Sequence, residues 1–277
     1  MATGYTWLLN GIDLDVETGH LAAVTLWRPP ISTRRSPVTI PGMHGSLTSG
    51  LPVFEDPQIV IGIRTTQTTQ AALEEAVNMV AALLTQPTLT VTRVSGGLTT
   101  SARAELVSAD MDNDFLAGGT SAPVAVLSIP GVFFRDTAAV STDFPFTADL
   151  VNQEVATLSG STGPIGDAVI RITGACTNPV VTDPGTGTGI SYAGTVASGQ
   201  YLFMSARPLS ARISSSASDW LSGGSDVSPA VSFPAAGRLQ LWPVVQSATV
   251  RKVLLSATGT GRTGSPKLAV RGQRSYL

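Results

Sequence analysis

The stretch TQAALEEAVNMVAALLT, Thr69–Thr85, decides how the rest of the chain is read. Leu73, Val77, Val80 and Leu84 recur at i, i+4, i+7 and i+11, which puts them on one stripe of an α-helix. Ala76 and Leu83 widen that stripe, while Glu74, Glu75 and Asn78 fall on the other side. Thr68 or Thr69 supplies a capping oxygen at the start, and Pro87 bars continuation. Everything around this segment has the look of β-strand broken by Gly, Pro, Ser and Thr. The spacing predicts a single helix that plugs an N-terminal sheet, with Leu73, Val77, Val80 and Leu84 buried against Ile59, Ile61 and Ile63.

Upstream of the helix, Trp7–Leu14 and Leu21–Trp27 read as strands around a turn at Glu17–His20. A proline-broken basic loop follows with Arg28, Pro29, Pro30, Arg34 and Arg35, then the short strand SPVTIPGMHG, Ser36–Gly45. Gln58–Arg64 alternates, with Ile59, Ile61 and Ile63 on one face. Downstream, Thr88–Val94 and Ala102–Ala109 flank Ser95–Gly97 as a hairpin. Ala122–Ile129 is the next strand, ending in IPGVFFRD, Ile129–Asp136. From about residue 137 small and polar residues take over, so the expected division is 1–140 and 141–277. The second part reads as strands only: Val151–Leu158, Ala168–Thr173, Tyr201–Met204, Leu239–Leu241, Val250–Leu255 and Leu268–Val270. Turn clusters at Asp183–Gly189, Ser222–Ser225 and Gly259–Gly264 separate them, a spacing typical of a sandwich or jelly roll.

Composition narrows the function classes. Charged residues are 13% of the chain, about half the usual quarter, so hydroxyl and small apolar groups must cover the surface or partner subunits must. A net charge of −2 argues against a nucleic-acid binder. The charge is uneven: 7 basic against 12 acidic residues in 1–140, and 10 against 7 in 141–277. Cys176 is alone, so neither an intrachain disulfide nor a multi-cysteine metal site is expected. The opening MATGYTWLLNG lacks a signal-peptide pattern, and no apolar run approaches the ~20 residues of a membrane helix.

No catalytic, cofactor or metal site is expected. GTGRTG, Gly259–Gly264, fits G-x-G-x-x-G, but Pro266 and the alternating KLAVR follow where a dinucleotide site needs a helix, so it reads as a hairpin loop. Asp110, Asp112 and Asp114 have the 1-3-5 spacing of a calcium loop, yet Phe115 and Ser121 stand where Gly and Glu are needed. His44 lies near Ser46 without a nucleophile-elbow pattern, and His20 is the only other histidine. The acids of the second part are Asp143, Asp149, Glu154, Asp167, Asp183, Asp219 and Asp226, and nothing marks two of them as a glycosidase pair. Trp220, Trp242, Tyr192 and Tyr201 would stack on a sugar if exposed, although aromatics in a sandwich are commonly core.

The order of features resembles one family. An Asn10–Asp13 turn after the opening strand, SPVTIPGMHG, a strand, one helix, a hairpin and IPGVFFRD come first. GPIGDAVIRITG (Gly163–Gly174), Asn178–Thr182, Ile190–Val196, Gly199–Met204, a Gly-rich loop and the final Arg274–Leu277 follow. This order is similar to that of the distal tail proteins (Dit) of long-tailed, non-contractile bacteriophages, across nearly the whole chain. The resemblance implies a virion protein of the tail tip, with a ring-forming N-terminal domain and a projecting, galectin-like C-terminal β-sandwich. It also implies a hexameric ring that joins the tail tube to the baseplate or tail-fibre hub, with neither enzymatic activity nor membrane insertion. The alternative is a carbohydrate-binding module that adheres to the host cell wall, although no galectin-type sugar-contacting motif is found. A tail-associated hydrolase is the third reading, disfavoured by the lack of histidine and the lone Glu154 in the second part.

Overall fold

The computed structural model describes residues 5–13, 20–24, 31–34, 51–111 and 119–276. They form two compact units that meet between residues 137 and 138. Both are mainly β, with predominantly antiparallel strand pairing and a single α-helix among the described residues.

In the first unit the chain runs through β1 (Tyr5–Leu9), β2 (Ile12–Asp13), β3 (His20–Val24), β4 (Thr33–Arg34), β5 (Val53–Phe54) and β6 (Gln58–Thr66). After α1 (Gln70–Leu84) come β7 (Leu89–Ser95), β8 (Leu98–Asp110), β9 (Thr120–Ser121), β10 (Val124–Ser128) and β11 (Phe134–Asp136). The sheet order is β2-β1-β7-β8-β10-β6-β3, and among the described residues β4 pairs only with β5. Two tight hairpins set the register. Asn10-Gly11 joins β1 to β2 with φ of 50° and 83°, and Gly96-Gly97 joins β7 to β8 with φ of 55° and 81°. Two consecutive left-handed residues are what a two-residue hairpin of matching twist requires. The Asn10 side chain also accepts from the Thr90 backbone N–H at 2.7 Å, tying that turn to β7.

Strand β8 has three neighbours among the described residues, with β11 pairing at Thr100 and Ser101 on the side away from β7. Its first half pairs with β7 and its second with β10, and a bulge at Val107 takes up the extra residue between them. Strand β6 alternates as its sequence does, with Ile59, Ile61 and Ile63 buried. Helix α1 packs on β6, capped by Thr69, whose hydroxyl accepts from the Ala72 N–H at 3.3 Å. Leu73, Val80 and Leu84 are buried as expected, but Val77 is only half-buried. The buried stripe is Leu73, Ala76, Val80, Leu83 and Leu84. At about 100° per residue it is centred between Val80 and Ala76, which leaves Val77 on its shoulder. The SPVTIPGMHG strand, Arg28, Arg35 and most of the Glu17–His20 turn lie outside the described residues.

The second unit contains β12 (Val140–Pro145), β13 (Leu150–Glu154), β14 (Val169–Thr182), β15 (Gly189–Tyr192), β16 (Thr195–Val196), β17 (Tyr201–Ala206) and β18 (Leu209–Ser214). Then follow β19 (Ser225–Asp226), a 3-10 turn at Ser228–Ala230, β20 (Val231–Ser232), β21 (Pro243–Val245), β22 (Arg251–Gly272) and β23 (Ser275–Tyr276). Three sequence expectations need correction. Leu239–Leu241 is not a strand but carries an isolated bridge, Leu241 with Ile165. Val151–Leu158 stops as a strand at Glu154, beyond which the chain turns. The GTGRTG segment is not a hairpin loop: Val250–Leu255 and Leu268–Val270 belong to one 22-residue strand, β22, and the glycines lie inside it.

Those glycines break the register without ending the strand. The β14–β22 ladder shifts three times between Thr173 and Val180, and Gly261 and Gly264 take φ of 61° and 75°. On one side of the shifts β14 and β22 pair with β12 and β17 and on the other with β13, β15 and β21, while β16 pairs with β14 at Cys176 and Thr177 within them. Strands that change sheets through bulges are how the corners of sandwiches are made. One core cluster draws from both halves: Ile170, Ile172, Leu268 and Val270 from one, Val181, Val253, Leu255 and Ala257 from the other.

Glu154, near the start of this unit, holds Lys252 at 2.9 Å and accepts from the Ser159 hydroxyl at 3.0 Å. The Lys252 contact, then the Ser159 hydrogen bond, lower its pKa below the ordinary 4.5. A depressed carboxylate adds stability above its unfolded value and loses it as pH falls through the folded one. NMR titration of the intact protein is expected to place Glu154 below ordinary glutamates. Lys252→Met should move it up, and an unmoved midpoint would show that the lysine is not the cause.

Candidate functional site

The acids and the glycine loop singled out in the sequence are absorbed by structure. Arg262 of GTGRTG is 12% exposed, stacks over Phe146 at 4.3 Å and pairs with Asp149. It lies beside buried Cys176, whose thiol pKa is raised by burial and partly offset by the arginine. No helix opens after that segment. Asp183 is 2% exposed and accepts from Gly185 N, Thr186 N and Trp242 N at 2.8–2.9 Å, closing its own turn. Asp143 pairs with Arg171, and Asp219 and Asp226 accept from Ser214 and Ser228. Asp110 ends β8 exposed and Ser121 is buried in β9, while Asp112, Asp114 and Phe115 lie outside the described residues, as do His44 and Ser46. His20 stands in β3. Among the described residues no group of three or more His, Cys, Asp or Glu could hold a metal ion, and no helix is long and apolar enough to cross a membrane.

Of the four aromatics, the structure brings two together. Tyr192 is core, and half-buried Trp242 sits by the Asp183 turn. Tyr201 and Trp220 meet on the outer face of the β12–β22–β14–β17–β18 sheet. Ile170, Ile172, Leu202, Met204, Leu268 and Val270 point from these strands into the core, so the alternate positions point away from it. One outward row reads Asp143, Ala269, Arg171, Phe203, Arg212 and Asp226, in cross-strand register. Arg271 lies in the row to one side, and Lys267 and Tyr201 in the row to the other.

The loop from β18 to β19 folds over this face. Its tip takes two successive left-handed residues, Trp220 at φ 38° and Leu221 at φ 84°, uncommon for bulky side chains. That conformation lays the indole on the sheet, 5.7 Å from Phe203, which in turn stacks on Tyr201 at 6.5 Å. The Arg171 and Arg271 guanidinium carbons lie 4.8 and 5.1 Å from the Trp220 ring centre. Arg171 further donates to Ala217 O at 3.0 Å and to Asp143 at 3.4 Å, pinning the loop to two strands. Phe203 is thereby fully buried, while Trp220, Tyr201 and Arg271 keep part of their surface in solvent. No sequence motif marks Arg171, Arg212 or Arg271. The alternation of Ile170 and Ile172 around Arg171 was the available signal that this arginine faces outward.

No protein-family model matches the chain, and no curated protein matches it. Solved structures do. The crystal structure of the Dit (gp 19.1) protein of SPP1, described as a paradigm of the hub adsorption apparatus in phages infecting Gram-positive hosts, superposes with a TM-score of 0.64. It is 16% identical, over 97% of this chain and 98% of that one. The phage P2 baseplate in its activated conformation, solved with calcium and with strontium, covers 99% of both chains at 8% identity and a TM-score of 0.42, too loose an overlay to establish a common fold. Along nearly its whole length, then, the chain has the fold of the SPP1 Dit protein.

Proposed function

We propose that this chain is a structural protein of a phage tail tip, assembled as a hexameric ring that joins the tail tube to the baseplate or tail-fibre hub. The observation that carries the reading is the full-length likeness in fold to the SPP1 Dit protein, through both units. The low charge of the chain agrees with it, since a ring of neighbours covers surface that is poor in charged groups. A closed ring needs a heterologous interface, with one face of each subunit meeting a different face of the next. The first unit supplies the ring contacts in this reading, the second projects from the ring, and neither performs catalysis. Negative-stain images of the purified full chain, with light scattering, are the test. Six-fold rings with six times the 28.5 kDa chain mass are expected, while a strictly monomeric protein that adds no density to purified tail tips would overturn it.

A second reading, carbohydrate binding by the unit 138–276, is favoured by one observation. The Trp220–Phe203–Tyr201 column lies on a sheet face and not in the core between the layers.

A further inference from the structure

We propose that the outer face of the β12–β22–β14–β17–β18 sheet holds a negatively charged polysaccharide. The proposal deepens the carbohydrate reading and rests on it. Four cations, Arg171, Arg212, Arg271 and Lys267, share this face with three carboxylates, Asp143 and Asp226 in register and Asp219 on the overlying loop, in a chain whose overall charge is −2. Arg271 contacts the Trp220 ring and has no carboxylate partner among the described residues, and Lys267 is exposed. Unneutralised guanidinium and ammonium groups beside a half-exposed indole suit a ligand that offers both an anion and a flat C–H surface.

The arrangement favours a sugar polymer over an acidic protein segment. A protein partner is anchored by an apolar centre with a polar rim. Here the large exposed apolar residues, among them Val151, Phe233 and Val245, all lie off this face, whose central Phe203 is sealed under the loop. Arg271 and Lys267 lie on the same face of β22, four residues or about 13 Å apart, so a polymer running along that strand beside the loop meets both cations.

The experiment uses the full-length protein, followed by tryptophan fluorescence and calorimetry. The probes are dextran phosphate, polyglucuronate, neutral dextran and poly-glutamate. Saturable binding of one or both anionic polymers of the first pair is expected, and which one binds identifies the anion as phosphate or carboxylate. Dextran should not bind, and affinity should collapse near 1 M salt, where screening reaches within about 3 Å. The double variant Arg271→Glu with Lys267→Glu, at unchanged melting temperature, should bind at least tenfold more weakly. Should it melt early, Lys267→Glu alone carries the test, with a smaller loss expected. Binding of dextran would keep the carbohydrate reading and overturn the anionic one. Polyanion binding untouched by the variants would put the site elsewhere. Poly-glutamate binding as tight as the sugars would overturn the saccharide assignment, and no saturable binding at all would end both readings.

Discussion

Val80→Asp is expected to abolish the cooperative melting of the N-terminal unit. Val80 is fully buried at the centre of the helix stripe, facing a sheet whose Ile59, Ile61 and Ile63 are equally inaccessible. No cation in α1 stands ready to pair with the new carboxylate, because neither end of the helix is basic and its interior carries only Glu74 and Glu75 as charges. The choice is a buried charge or a carboxyl forced to stay protonated, and either costs several kcal/mol. An ordinary domain has only about 5–15 kcal/mol to lose. Leu84→Asp should behave alike. Val77→Asp, from the half-buried shoulder, should cost much less, and this contrast is the sharper test. Circular dichroism melts of the three variants decide it: equal losses at Val77 and Val80 would mean the helix is rotated from the orientation described.

Phe146→Ala should be the most damaging truncation in the second unit. Its ring is fully buried, lies in the common core and carries the Arg262 guanidinium over its face. Truncating such a phenylalanine costs about 3–5 kcal/mol through lost transfer energy and the cavity left behind. Here the arginine also loses the surface it stacks on. The neighbouring Cys176 provides the readout. It is the only thiol of the chain, fully buried, and its pKa is raised by burial, so a disulfide reagent should reach it only when this region opens. In wild-type protein, labelling should stay slow until the urea transition, and in Phe146→Ala that transition should move to clearly lower urea. Fast labelling of the wild-type protein under native conditions would contradict the packing around Arg262.

What the sequence disclosed depended on whether local pattern and tertiary role coincided. Helix α1 announces itself because a 3.6-residue period, a capping threonine and a following proline agree. Strand β6 does so because its isoleucines alternate, whereas Trp7–Leu14, read as one strand, is split into β1 and β2 by the Asn10-Gly11 hairpin. The long strands of the second unit misled because glycine and threonine within β22 look like punctuation. Whether Gly259–Gly264 turns the chain back or merely bulges it is settled by β14 alongside, which supplies partners on both sides of the interruption. Val77 was misplaced by one shoulder of the stripe, since a heptad-like spacing does not fix which flank the sheet meets. The arginine face was invisible for a different reason. Arg171, Trp220 and Arg271 are each 49 or more residues from the other two, and only strand register and the β18–β19 loop bring them together. Isolated acids misled in the opposite direction: Asp183 looks available in the sequence and is spent on its own turn.

The bulged strand β22 also bears on how the molecule is made. A ribosome delivers β12, β13 and β14 more than 60 residues before β22 is complete, yet all three hydrogen-bond to it. Val140 waits for Gly272, and Glu154 for Leu254. Until then the inward faces of β12 and β14 have no neighbour between them, and the unit holds a gap through both of its layers. The first unit contains every strand of its own central order within its first 128 residues and is free to close early. Pairings of such long sequence separation are slow to form and leave sticky edges exposed while they wait. Synthesis thus leaves the second unit open almost to its last residue, long after the central strands of the first have emerged.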